Sequence, residues 1–173
     1  MDIPQLFAVL VDQALLVAVS GGLAALIRAF TGFGFAMLVV PTFSFFLTPA
    51  DAVVLSSVLA FLLGLLSYRS WWGLFPVAPA RPMVAGSVIG TAIGVWFLAS
   101  LSVAEFQIWI GVSVVIASVV LARFVPSERA ASSPAALATG VASGLMNGAF
   151  AIPGPPVILY VVATLSEPVK SRA

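Results

Sequence analysis

Few residues in this chain can act on a ligand. Its 173 residues include seven Lys or Arg and six Asp or Glu, with no Cys and no His. That composition removes thiol chemistry, disulfides, haem and most zinc or copper sites. No nucleophile–base pair or metal constellation stands out, so an enzyme is the weakest reading, and no catalytic residue, metal or cofactor is assigned. What remains is Arg28, at the end of a long apolar segment, and two apolar stretches broken by glycine and proline. The stretch 140–160, GVASGLMNGAFAIPGPPVILY, carries glycine at 140, 144, 148 and 154, and proline at 153, 155 and 156. Proline removes a backbone donor and glycine weakens a helix, so a continuous membrane helix is not expected here. In lipid, a broken backbone survives only where it is buried in protein or lines a polar cavity. Breaks near the bilayer midplane are how many secondary transporters build a binding site.

A related stretch lies 120 residues earlier: Ala29, Phe30 and Gly34 match Ala149, Phe150 and Gly154 in order and spacing. Both stretches interrupt hydrophobic segments too long for one simple span, and such paired interruptions point to a transporter repeat. Unpaired amides and helix N-termini at the breaks favour a small anion. The bland alternative is that they only kink helices for packing. Arg28 adjoins the first break, where a guanidinium suits the oxygens of an oxyanion; alternatively it snorkels to headgroups. Ser143 and Asn147 can hydrogen-bond at the second break or bridge helices. Asp12 can carry a proton if buried, or sit near a surface.

The elements that must position these residues are helices in a bilayer. The chain is 62% hydrophobic and 8% charged, with a mean hydropathy of +1.21, whereas a soluble domain is about a quarter charged. This is an all-α, polytopic integral membrane protein with two broken or re-entrant helix motifs. At about 20 residues per span, its length allows about five spans and leaves no room for a folded extramembrane domain. A net charge of +1 with scattered arginines argues against nucleic-acid binding. The N-terminus has no basic region and does not read as a cleaved signal peptide.

In order, the expected elements are a helix over 6–27, a glycine break, and a short helix to Leu47. Thr48, Pro49 and Asp51 form a turn with helix-start chemistry, followed by a span over 52–68. An interfacial loop with Trp71 and Trp72 runs to Pro82, and spans over 83–99 and 106–122 follow. Gly86, Gly90 and Gly94 recur every fourth residue, which puts them on one helix face for close packing. The linker 126–134 divides a first transmembrane repeat, 1–125, from the beginning of a second, 135–173. Arg69 and Arg81 share one loop, and Arg123 and Arg129 share another two spans later. The positive-inside rule makes both cytoplasmic, with Asp51 and Glu105 in the opposite turns. If each motif stretch crosses twice the repeats are inverted, the preferred arrangement; single crossings would make them parallel.

The chain resembles the TauE/SafE family of sulfite and sulfonate exporters. The family's second repeat carries a pattern close to G-x-x-S-G-x-x-x-G-x-x-G-x-x-G-P-P. Here it runs from Gly140, Ser143 and Gly144 through Asn147 and Gly148 to Gly154, Pro155, Pro156 and Tyr160. The first repeat's glycine-rich break is filled by Gly32, Phe33, Gly34 and Phe35, with Pro41 following. Pro153 stands where glycine is common, and Arg28 and Phe33 depart from a glycine-rich neighbourhood; these departures bear on substrate more than on membership. The resemblance implies two similar halves of about four spans, so the chain reads as one half plus the opening of the second, truncated. A homodimer restoring two halves is the other arrangement. It also implies a multi-pass permease of the bacterial plasma (inner) membrane, moving sulfite or organosulfonates by alternating access. The candidate substrate-binding set is Arg28, Gly32, Phe33, Gly34, Asn147, Gly148, Pro153, Gly154, Pro155 and Pro156. A passive anion channel and a non-transporting membrane subunit or scaffold are the rival readings.

Overall fold

The computed structural model describes the backbone of residues 3–31, 34–71, 77–123 and 132–164, and side chains of residues 14–29, 34–69, 80–123 and 132–164. All regular structure among them is helical: α1 (Ile3–Thr31), α2 (Phe35–Phe43), α3 (Pro49–Leu66), α4 (Tyr68–Trp71), α5 (Val77–Ser100), α6 (Val103–Arg123), α7 (Ser133–Phe150) and α8 (Gly154–Thr164). Three described segments, Pro49–Leu66, Ala80–Ser100 and Val103–Arg123, are long and apolar enough to cross a membrane.

Local chemistry sets the helix starts. At α3, Asp51 N–H donates to Thr48 Oγ1 at 3.3 Å and Pro49 occupies the first turn. The Thr48 hydroxyl donates to the Asp51 carboxylate at 2.6 Å. Ser102 and Glu105 cap α6 reciprocally: Ser102 N–H donates to Glu105 Oε2 at 2.9 Å and Glu105 N–H to Ser102 Oγ at 3.3 Å. Each bond satisfies an amide that has no carbonyl partner inside its helix. Ser132 does the same for α7, accepting from Ala135 N–H at 3.4 Å, so the helix begins inside the expected linker 126–134. The proline-rich segment expected as loop up to Pro82 is helical from Val77. Pro79 lies in the first turn, where no intrahelical donor is required, and Pro82 costs only one ladder bond near the helix start.

The tightest helix contact joins α5 to α7. Gly86, Gly90 and Gly94 lie against the α7 backbone, and Gly140, Gly144 and Gly148 lie against the α5 backbone. A Cβ on Gly90 would meet Leu145 N at 2.8 Å, and one on Gly144 would meet Ser87 Cα at 2.8 Å. The pairing runs in register, Gly86 near Gly140 and Gly94 near Gly148. The two helices are therefore parallel, as one intervening crossing by α6 requires. Dispersion between close backbones replaces the hydrophobic drive that lipid removes. This buried seat also explains how α7, with its glycines, serines and Asn147, remains a helix despite being less apolar than its neighbours.

The α1–α3 part packs around Ala24, Phe35, Val39, Phe43 and Ala52. Phe43 is buried with Ala52, while Phe35 shares a cavity with Ala60, so α2 runs antiparallel to α3. A second cluster joins α2 to α6 and to the end of α7 through Val40, Phe106, Ile110, Phe150 and Ile152. Phe150 meets Phe106 at 5.9 Å and Phe97 edge-on at 6.4 Å. Gln107 Nε2 donates to the Ser44 carbonyl at 2.8 Å. That bond ties the turn before Asp51 to the start of α6 beside Glu105, so the two acidic turns sit at one end of the bundle.

Candidate functional site

The first break separates α1 from a nine-residue α2. At 1.5 Å per residue α2 spans about 14 Å, about half the hydrocarbon thickness. A full helix, a break and a short helix is the expected order. Gly34 precedes α2 with φ 89° and ψ −6°, a left-handed conformation that glycine adopts without a Cβ penalty. As the residue capping α2, Gly34 offers no side-chain hydrogen bond. The amides of Phe35, Ala36 and Met37 therefore have neither an intrahelical carbonyl nor a capping oxygen from that residue.

The second break falls at 151–153, not at the earlier glycines. Gly140, Gly144 and Gly148 stay helical in the α5 contact, and α7 ends at Phe150, just beyond them. Ala151 adopts φ 55°, its N–H donating to the Asn147 carbonyl at 2.8 Å while Ile152 N–H donates to the Met146 carbonyl at 3.2 Å. A non-glycine residue in this region is strained, and such residues cluster at functional sites. Ser143, buried in α7, donates its hydroxyl to the Pro153 carbonyl at 2.8 Å and braces the break. Beyond it, Pro155 and Pro156 bring no N–H to the first turn of α8, which leaves Gly154 as the early donor.

The two breaks meet. Arg28, Gly34, Phe35, Ala36 and Met37 on one side, Ala151 to Pro155 on the other, and Ala60 of α3 line a cavity of about 180 Å³. Ala60 is the twelfth residue of the 18-residue α3, counting from Pro49, so the cavity lies within the span and not at its end. Arg28 is half-buried there. The carboxylates of Asp51 and Glu105 are engaged with their own helix caps at the far turns. Arg28 and the positive end of α2 thus share the cavity, and among the described residues no carboxylate lines it.

Of the residues expected at a site, Arg28, Gly34, Pro153, Gly154 and Pro155 line this cavity, whereas Asn147, Gly148 and Pro156 do not. Gly148 packs against Thr91 and Val95 backbone atoms, and the Asn147 carbonyl terminates α7. Gly32 and Phe33 lie outside the described residues. The candidate set left out Phe35 and Ala151, although Phe35 belongs to the first motif and Ala151 falls on a glycine position of the second. It also missed Ala36, Met37, Ala60 and Ile152, whose apolar types carry no chemical signal. Ser56 stands one turn before Ala60 on the same face of α3, fully buried, its hydroxyl without a hydrogen-bond partner among the described residues.

Helices of spanning length, interrupted twice, with both interruptions converging on a basic cavity inside the bundle, define a polytopic membrane protein of the transporter type. The family model described as "Sulfite exporter TauE/SafE" matches residues 17–172, and the chain belongs to that family. No curated protein and no solved structure matches it.

Proposed function

We propose that this protein is a permease of the bacterial inner membrane that moves sulfite or a small organosulfonate by alternating access around the cavity between the two breaks. The observation that carries this reading is the convergence of Arg28, the N-terminal start of α2 and the 151–155 break on one space inside the bundle. A sulfur oxyanion presents several acceptor oxygens and full negative charge. Arg28 would bind them through charge-assisted hydrogen bonds, and the α2 amides would add neutral donors and the helix dipole. A water occupies about 30 Å³ in the liquid, so the cavity holds a handful of waters, room for sulfite or a one- or two-carbon sulfonate. The weak polar character of the 151–155 side gives the anion few bonds to break on leaving, which a carrier needs.

The reading also takes the arginine loops as cytoplasmic and the Asp51 and Glu105 turns as external. The test is uptake of labelled sulfite into proteoliposomes under an imposed proton gradient, with taurine and sulfoacetate as competitors. Saturable, competed flux that Gly34→Leu and Gly154→Leu abolish, with insertion intact, is the expected result. Each leucine would project from a cavity-lining backbone into a space of molecular size. Linear, non-saturating flux would mark a channel instead.

A further inference from the structure

A second cavity lies directly beside the first. It is an open hollow of about 280 Å³ lined, among the described residues, by Val17, Ala18, Gly21, Gly22, Ala25, Phe35, Leu59 and Leu63. All eight are apolar or glycine. The same three helices wall both spaces: α1 passes from Gly21 and Ala25 to Arg28, and α3 from Leu63 and Leu59 to Ala60. Among the described residues, Phe35 alone lines both. It is 3% exposed, held at the first position of α2 by the left-handed Gly34. Phe35 therefore borders a space that holds Arg28 and a second space lined by apolar residues and glycine.

The geometry points to Phe35 as the residue that sets the carbon-chain length of the anion this site accepts. The inference rests on the small-oxyanion reading of the Arg28 cavity. With Phe35 in place, the head group and one or two carbons fill the available volume, and a longer chain meets the ring. Removing the ring joins the two spaces, giving an alkyl chain anchored by its sulfonate at Arg28 an apolar compartment to enter. The joined volume falls in the range of ordinary ligand pockets, about 300–1,000 Å³. The room beyond the ring exists because Gly21 and Gly22 leave it: a Cβ on either meets no atom within 4 Å.

Two readouts on the purified full chain test this. Thermal shift in detergent and inhibition of labelled-sulfite uptake are both measured with sulfite and with methane-, butane-, hexane- and octanesulfonate. For the unaltered protein, sulfite and methanesulfonate are expected to act in both assays, and the longer homologues to lose potency with length. In Phe35→Ala the order reverses, each added methylene improving potency roughly fourfold until the pocket is full. Adding Gly21→Leu to Phe35→Ala refills the compartment and removes the gain. Phe35→Leu, which keeps more of the core volume, serves if the alanine variant fails to fold, and is expected to gain for butanesulfonate alone.

A sulfite response in the variants with no gain for long chains would overturn the role of Phe35 while leaving the anion site standing. The same would follow if the unaltered protein bound octanesulfonate as well as methanesulfonate, or if Gly21→Leu left the gain in place, since a lipid chain or the surrounding detergent would then explain it. Absence of any response to sulfite in the unaltered protein would remove the anion reading, and the inference with it.

Discussion

Arg28 and Gly34 act at the same cavity by different physics. The arginine supplies charge that burial makes more effective, since lower dielectric strengthens its attraction for an anion. Hydrogen bonds to charged groups contribute about 1.5–3 kcal/mol. Arg28→Gln is therefore expected to raise the half-saturating sulfite concentration by roughly 10- to 100-fold. Arg28→Lys should recover part of the loss, keeping the charge but not the planar fork. Sulfite uptake over a concentration series would read both, and unchanged half-saturation in Arg28→Gln would assign the arginine to headgroup contact. Gly34 contributes no charge; it lets the chain turn into α2, whose first residues line the cavity. A Cβ there meets nothing within 4 Å, so the backbone conformation, φ 89°, is what demands glycine.

Elements differ in how they use glycine. On α5 and α7 the glycines are contact surfaces, whereas Gly64 in α3 and Gly111 in α6 have open space where a Cβ would stand. Gly90→Ala forces backbone apart, and overpacking of this kind costs about 1–3 kcal/mol or more. Gly111→Ala should be neutral or stabilising by up to about 1 kcal/mol from helix propensity. Unfolding in mixed micelles separates the two; equal effects would mean that the α5–α7 contact is not tight. Ser143 belongs at this scale too. Its hydroxyl bonds across the break to Pro153, so the glycine-locked α7 carries the 151–155 segment as a fixed wall of the cavity.

Across the whole molecule, the helices around the cavity are held in two different ways. The α1–α3 part is held by apolar side chains around Phe35 and Phe43, and the α5–α7 pair by backbone-to-backbone contact. Side-chain interfaces slide more readily than interlocked backbones, so the proposed alternating-access reading expects the α1–α3 part to move. The orientation is testable because the chain has no cysteine. A single cysteine at the exposed Ala104 should react with an impermeant maleimide added to intact cells. One at the exposed Ser133 should react only after permeabilisation. The opposite pattern would invert the proposed topology.

The sequence by itself determined the membrane class, the helical spans, the cap at Thr48, and the existence of two interruptions. These follow from hydropathy, proline and capping chemistry, which act within a few residues and in lipid admit few backbone solutions. The spacing of Gly86, Gly90 and Gly94 also announced a contact face, but not that its partner was the second motif itself. Only the tertiary structure decided which glycines bend the chain and which pack. Gly148 and Gly34 are the same residue in similar local surroundings. One lies against Thr91 and Gly94, whose proximity stabilises a straight helix, and the other has nothing opposite and adopts a left-handed turn. Tertiary structure likewise decided that Ala60 and Phe35 wall the cavity, because an apolar side chain acquires such a role only from what stands across from it.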